Sequence, residues 1–255
     1  MKVVIFGKGK VGQATAHALG IECDWVDPRL NLNVEDLNAY DTAIICVSSL
    51  EGGPFDHSAI NDCIWRLHDV DFKGTIAVRC TISPDWSATA TGMFKPLNII
   101  HFPEFMKQHG DHINDKPWVV VLGGPSSLVD PFGEWLIERG YGDRDMQLKV
   151  DMVQSAIIKL GENGFLATKV AYFNMIYQLC KKYGVDYGPV RDGIAVDDRI
   201  NFKHTDVPGW DGKLGYGGHC LPKDVRCLAS VDTSNIMASV ITFNRWVRDE
   251  NISTK

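Results

Sequence analysis

The chain has 255 residues, 45% of them hydrophobic and 23% charged, and a formal net charge of -6. That length accommodates one large core or two modest ones, and the acidic balance argues against nucleic acid as a partner, which calls for a basic patch. No apolar run approaches the ~18 residues of a membrane span, and the N-terminus lacks a signal peptide's cleavage region. Seven cysteines without a CxxC pair or repeated spacing suit free thiols in a reducing cytosol better than disulfides or a metal site, so a soluble, cytoplasmic protein without bound metal is expected.

Residues 2–6, KVVIF, form a compact β-branched run, followed by Gly7-Lys8-Gly9-Lys10-Val11-Gly12 and the helix-like QATAHALG. Strand, glycine turn and helix is the setting of a dinucleotide fingerprint. Gly7 permits the tight bend, Gly9 lets the backbone approach a pyrophosphate, and Gly12 lets the helix pack on the strand, with Lys10 and Val11 at the helix mouth that faces the anion. The next strand, ECDWVD, ends at Asp27, placed to accept hydrogen bonds from an adenosine ribose and so to favour NAD over NADP. The alternative is a turn aspartate ahead of Pro28. Asp27 stands closer to Gly12 than the ~20 residues usual for the fingerprint, which requires a short first helix or a short turn after it.

Further apolar runs cover 42–48, 74–81, 97–102 and 118–124, with the helix-like HSAINDCIWRLHD between the first two. Continuous rather than alternating apolar strands predict a parallel sheet covered on both faces. Residues 1–150 thus read as a doubly wound, Rossmann-type α/β domain. Ligands of such a domain sit beyond the carboxyl ends of its strands, where Val47, Ser48 and Thr81 are expected to meet the cofactor.

After Asp151 the pattern becomes helical, giving a second domain over 151–255. From Val153 to Tyr183 there is no proline, apolar residues recur at Ile157, Leu160, Leu166, Val170, Phe173, Ile176 and Leu179, and Gly184 follows. One long helix is predicted, either a subunit interface that makes a homodimer or a buried spine. A shorter helix near 188–195, a glycine-rich loop and a final helix around 234–249 follow.

That loop, GYGGHCLPKD at 215–224, holds Cys220. Pro222 suits the first position of a helix, which sets Cys220 at its mouth, where the dipole and Lys223 favour the nucleophilic thiolate. A buried structural cysteine is the competing reading. His219 could influence the thiolate or be a loop histidine bonded to backbone, and it stays outside the catalytic set.

GYGGHCLPKD resembles the active-site segment of the UDP-glucose and GDP-mannose dehydrogenase family of nucleotide-sugar 6-dehydrogenases. KLGENGFLATKVAYFNMI is similar to that family's central helix, VDDRI to the segment after it, VRCTISP to its threonine loop and HFPEFM to its Pro-Glu-Phe motif, all in order along the chain. The resemblance implies oxidation of a primary alcohol of a nucleotide sugar to a carboxylate with two NAD reduced in turn, UDP-glucose being the leading substrate. It assigns Cys220 as the thiol that captures the aldehyde and then carries a thioester. Lys159 and Asn163, four apart on one helix face, match the residues that stabilise the oxyanion; without the family they would pass for a solvated face. Asp224 matches a water-handling aspartate, and would otherwise be a first-turn acid favouring the helix dipole. Glu104 matches a glutamate of proton transfer and thioester hydrolysis, and Thr81 a threonine that holds water; both would otherwise be polar loop residues. Phe105, Met106, Tyr216, Gly217 and Gly218 are expected to contact substrate together with Lys159 and Asn163.

Two departures from the family pattern stand out. Gln108 occupies a position where some members carry a second glutamate, which implies that hydrolysis either rests on Glu104 alone or is slow. Members typically continue into a third α/β domain that closes over the nucleotide, and this chain, ending at Lys255, reads as a short form without it. The other readings are a single-step NAD-dependent alcohol or hydroxy-acid dehydrogenase on a smaller substrate, and a catalytically silent NAD-binding module that needs a partner chain.

Overall fold

A computed structural model of the chain describes residues 1–48, 56–105 and 117–249. Two compact units emerge, Met1–Lys159 and Leu160–Lys255. Met106 and Gln108 lie outside the described residues.

The first unit is α/β. Its strands are β1 (Val3–Phe6), β2 (Asp24–Val26), β3 (Thr42–Ile45), β4 (Thr75–Val78), β5 (Asn98–His101), β6 (Val120–Gly123) and β7 (Gln147–Val150). They form one sheet in the order β2-β1-β3-β4-β5-β6-β7. Helices α1 (Lys10–Ala18), α2 (Ser58–Asp69), α3 (Pro84–Met93) and α4 (Ser126–Glu138) belong to the same unit. The continuous apolar runs follow from burial on both faces. Val4 and Phe6 pack with Ile60, Ile64, Trp86 and Ala90 in one cluster, while their neighbours Val3 and Ile5 join Leu19, Val129, Phe132 and Leu136 in another. α1 is only 9 residues long and is followed by Gly20 at φ +57°, which explains how Asp27 comes so soon after Gly12.

One pairing corrects the expectation of a parallel sheet: β6 runs antiparallel to β5, the other five pairings being parallel. An antiparallel neighbour needs no crossover helix, and none is found between β5 and β6 among the described residues. β7 was not expected from the sequence. As an edge strand with two exposed residues it lacks the apolar run of the buried strands.

The second unit is helical. α5 (Met152–Tyr183) begins in the first unit and continues into the second, its 32 residues spanning about 48 Å. α6 (Tyr187–Ala195), α7 (Cys220–Val231) and α8 (Ile236–Asp249) complete it. Ala167 and Ala171 of α5 pack with Val225, Met237 and Val240, and Phe173 packs with Cys180 and Tyr187. α7 begins at Cys220 itself, with His219 as its N-cap. Pro222 is therefore the third helical residue rather than the first. Any of the first four positions tolerates proline, because their N–H groups have no intrahelical acceptor.

Candidate active site

The turn after β1 has the shape its three glycines predict. Gly7 has φ +93°, and a Cβ there would meet the Cys46 carbonyl oxygen at 2.6 Å. A Cβ at Gly12 would strike the Gly7 carbonyl and lie 3.2 Å from the Trp25 ring, whereas one at Gly9 would meet nothing within 4 Å. The chain is thus closed on its own side at Gly7 and Gly12 and open at Gly9, next to Lys10 and Val11 in the first turn of α1. Asp27 lies one residue past β2; its Oδ2 accepts from Lys8 N (2.9 Å) and its Oδ1 from Arg29 N (3.0 Å). Each carboxylate oxygen keeps a lone pair for a ribose hydroxyl. The strand order reverses between β1 and β3, and Val47 and Ser48 follow β3 at that switch point. A dinucleotide's pyrophosphate and ribose fit these residues.

Thr81, Glu104 and Lys159 belong to the first unit together with Phe105. Lys159 is 8% exposed, not on a solvated face, and its Nζ sits 4.8 Å from the centroid of the Phe105 ring. Glu104 forms an ion pair with Arg79, a residue only 2% exposed. The Arg79 guanidinium also donates to Thr15 Oγ1 (2.7 Å) and Tyr141 Oη (2.5 Å) and lies 4.0 Å from the Phe102 centroid.

His101, fully buried, joins the threonine loop to α5. Its Nε2 donates to the carbonyl of Cys80, beside Thr81 (3.1 Å), and its Nδ1 accepts from Ser155 Oγ (2.8 Å), one turn before Lys159. Gly123 leaves the space that Ser155 fills. A neutral ring protonated at Nε2 makes both bonds, donating to the carbonyl and accepting from the hydroxyl. Burial pushes the His101 pKa down from 6.5 to about 3, and the Lys159 charge adds to the effect. Unfolded, this histidine takes up a proton below pH ~6.5, while the folded one does not until about pH 3. Stability therefore falls as pH drops through that window, by up to ~1.4 kcal/mol per pH unit for this one proton. His101→Gln should flatten the acid limb of the urea midpoint against pH between 6.5 and 4; an unchanged slope would assign the acid sensitivity elsewhere.

In the second unit, Asn163 Nδ2 donates to Asp224 Oδ2 at 2.5 Å, and Lys223 Nζ lies 2.5 Å from Asp224 Oδ1. Asp224 is 1% exposed and Asn163 7%, so this is a buried, fully engaged carboxylate rather than a surface helix-end acid. It stands one helical turn after Cys220, the exposed cysteine; the other six are buried or half-buried, and none of the seven is in a disulfide. Gly217 and Gly218 precede the thiol, Gly218 at φ +77°. The Tyr216 side chain packs in the helical core with Val225 and Met237, which leaves its backbone as the part on the loop. Each unit thus contributes part of the expected set, and α5 carries Lys159 and Asn163 four residues apart.

Sequence reasoning missed Arg79, His101 and Ser155. For Arg79 and His101 the available signal was a charged or polar residue at the end of an otherwise apolar strand, as in IAVRCT and NIIHF, which must find a buried partner.

Residues 154–247 match the sequence model described as "UDP-glucose/GDP-mannose dehydrogenase family, central domain". The chain is similar to the UDP-glucose 6-dehydrogenase of Campylobacter jejuni, 27% identical over 68% of this chain and 43% of that protein. It is also 27% identical to the Rickettsia prowazekii UDP-glucose 6-dehydrogenase, over 100% of this chain and 59% of that one. The chain therefore spans about half the length of the curated relatives it matches. Among solved structures, a UDP-glucose dehydrogenase from the archaeon Pyrobaculum islandicum superposes with a TM-score of 0.79 at 19% identity, over 96% of this chain and 68% of that one, a likeness of fold. The segment that carries Asn163, Cys220 and Asp224 is thus the part of the chain that matches the central domain of the UDP-glucose/GDP-mannose dehydrogenase family.

Proposed function

We propose that the chain catalyses the NAD-dependent, four-electron oxidation of the C6 alcohol of a nucleotide sugar to a carboxylate, with UDP-glucose to UDP-glucuronate as the first pair to test. The observation that carries this reading is the exposed thiol of Cys220 on the first turn of α7 with Asp224 one turn on, buried and bonded to Asn163, inside the segment matched to the family's central domain. NAD held by Gly7, Gly9, Lys10, Val11, Gly12 and Asp27, with Val47, Ser48 and Thr81 beside it, would supply the hydride acceptor for both oxidations.

The chain's own residues account for the remaining chemistry. Lys159 and Asn163 stabilise the substrate oxygen as its hydroxyl proton departs and the first hydride leaves the carbon that bears it, giving an aldehyde. The Cys220 sulfur adds to the resulting aldehyde carbon, forming a C–S bond while the carbonyl pair moves to oxygen and takes a proton. Loss of the second hydride from that carbon, and of the proton from its oxygen, leaves a thioester. Water adds, the C–S bond breaks and Cys220 leaves as thiolate. Thr81 holds this water, and Glu104 and Asp224 take its protons. Phe105 and the backbone at Tyr216, Gly217 and Gly218 contact the sugar. Seven cysteines, none of them in a disulfide, support a reducing, cytoplasmic setting.

The deciding experiment counts NADH per sugar consumed, with UDP-glucose and GDP-mannose. Two NADH with a uronate product supports the proposal. One NADH identifies a single-step dehydrogenase, and none from protein that binds NAD identifies a silent module or one needing a partner chain.

A homodimer through α5 belongs to the same proposal. Ile157, Phe165, Tyr172, Leu179 and Tyr183 are all exposed, and their spacing sets them along one stripe of the helix. Phe165→Glu, at a side chain 66% exposed, should halve the mass measured by light scattering, because a two-fold interface repeats the charge on both copies. A wild-type chain that is monomeric at all concentrations would sink the idea.

A further inference from the structure

The loop that leads into Cys220 is held by side chains from α5 and α8. Gly215 N donates to Asn174 Oδ1 (2.8 Å). Tyr216 is read at both backbone groups by a single amide: its N–H donates to Asn244 Oδ1 (2.7 Å) and its carbonyl accepts from Asn244 Nδ2 (3.1 Å). Arg248 donates from Nη1 to the Leu214 carbonyl (3.1 Å) and from Nη2 to Asp211 Oδ2 (2.7 Å). Asn174 and Asn244 are buried, so their amides are committed to these bonds. The fit is close. A Cβ at Gly217 would meet Arg248 Nη2 at 2.6 Å, and one at Gly215, where φ is +69°, would strike Asn244 Oδ1.

Apolar contacts of Val225, Met237 and Val240 already pack α7 and α8 into one core. The amide and the guanidinium act instead on backbone groups of the loop at 214–216, just upstream of the thiol. We propose that Asn244 and Arg248 are positioning residues for the Cys220 nucleophile: from α8 they fix the path of the loop and so the place of the thiol on the first turn of α7. This rests on Cys220 being the reacting thiol, and its test needs no sugar, so the two ideas fail separately.

The test alkylates the full-length chain with iodoacetamide at pH 7 and follows Cys220 and Cys227 by peptide mass spectrometry. Cys227 lies buried on the same helix and reports general loosening. In Asn244→Ala and Arg248→Ala, Cys220 should react ~2- to 5-fold more slowly, as a thiol does when it leaves the favourable end of a helix dipole. Cys227 should stay unreactive, and Arg248→Lys, which keeps the charge facing Asp211, should recover part of the rate. Cys220 reacting at the wild-type rate or faster in folded variants overturns the proposal, as does Cys227 becoming reactive along with it. If Asn244→Ala does not fold, Arg248→Ala, whose side chain is part-exposed, decides alone.

Discussion

Cys220→Ser is expected to abolish acid formation, by on the order of 10³-fold or more, while the first hydride transfer survives. A hydroxyl in the same place is far less ionised than a thiol and forms a poorer leaving group, so both capture of the aldehyde and its release as acid fail. The exposed position of Cys220 at the start of α7 makes the exchange structurally mild. Loss of activity with an unchanged melting curve is thus a chemical effect. Single-turnover NADH formation with product chromatography separates the steps: at most one NADH per sugar, with aldehyde and no uronate, is the expected pattern. Full turnover to acid in this variant would remove the thiol from the mechanism and leave Lys159 and Asn163 as residues of a single-step dehydrogenase.

The parts of this site that were legible in the sequence are those written in local pattern. The glycine turn announces itself by spacing, the long helix by its freedom from proline, and Cys220 by a glycine-rich approach and the Pro-Lys-Asp that follows. What was not legible depends on contacts far apart in the chain. Arg79 finds Thr15 across 64 residues and Tyr141 across 62, and Asn244 finds Tyr216 across 28. No period or motif encodes such a pair; only the sheet order and the packing of α7 on α8 bring them together. The direction of β6 was hidden for a related reason, since a short apolar strand reads alike in either orientation. The placement of Pro222 shows the limit of terminal signals, because the first helical turn accepts proline at more than one position.

Arg79 carries the largest stability effect expected in the chain. Its guanidinium is almost fully buried, and its pKa is driven upward by the Glu104 carboxylate and the Tyr141 hydroxyl against the opposing effect of burial. Arg79→Met removes the cation and leaves Glu104 beside an apolar side chain, with the Thr15 and Tyr141 oxygens deprived of their donor. Breaking a buried pair from one side costs about 3–5 kcal/mol, read here as a drop in the urea midpoint of the first unit. Adding Glu104→Gln to Arg79→Met should return part of that loss, since an uncharged amide no longer needs the cation; the excess over additivity in the four-member cycle measures the pair itself. Strict additivity would mean that Arg79 acts through Thr15, Tyr141 and the Phe102 ring rather than through Glu104. Coupling in the cycle would tie the glutamate proposed for thioester hydrolysis to α1, the helix of the glycine turn, because one guanidinium holds both Glu104 and Thr15.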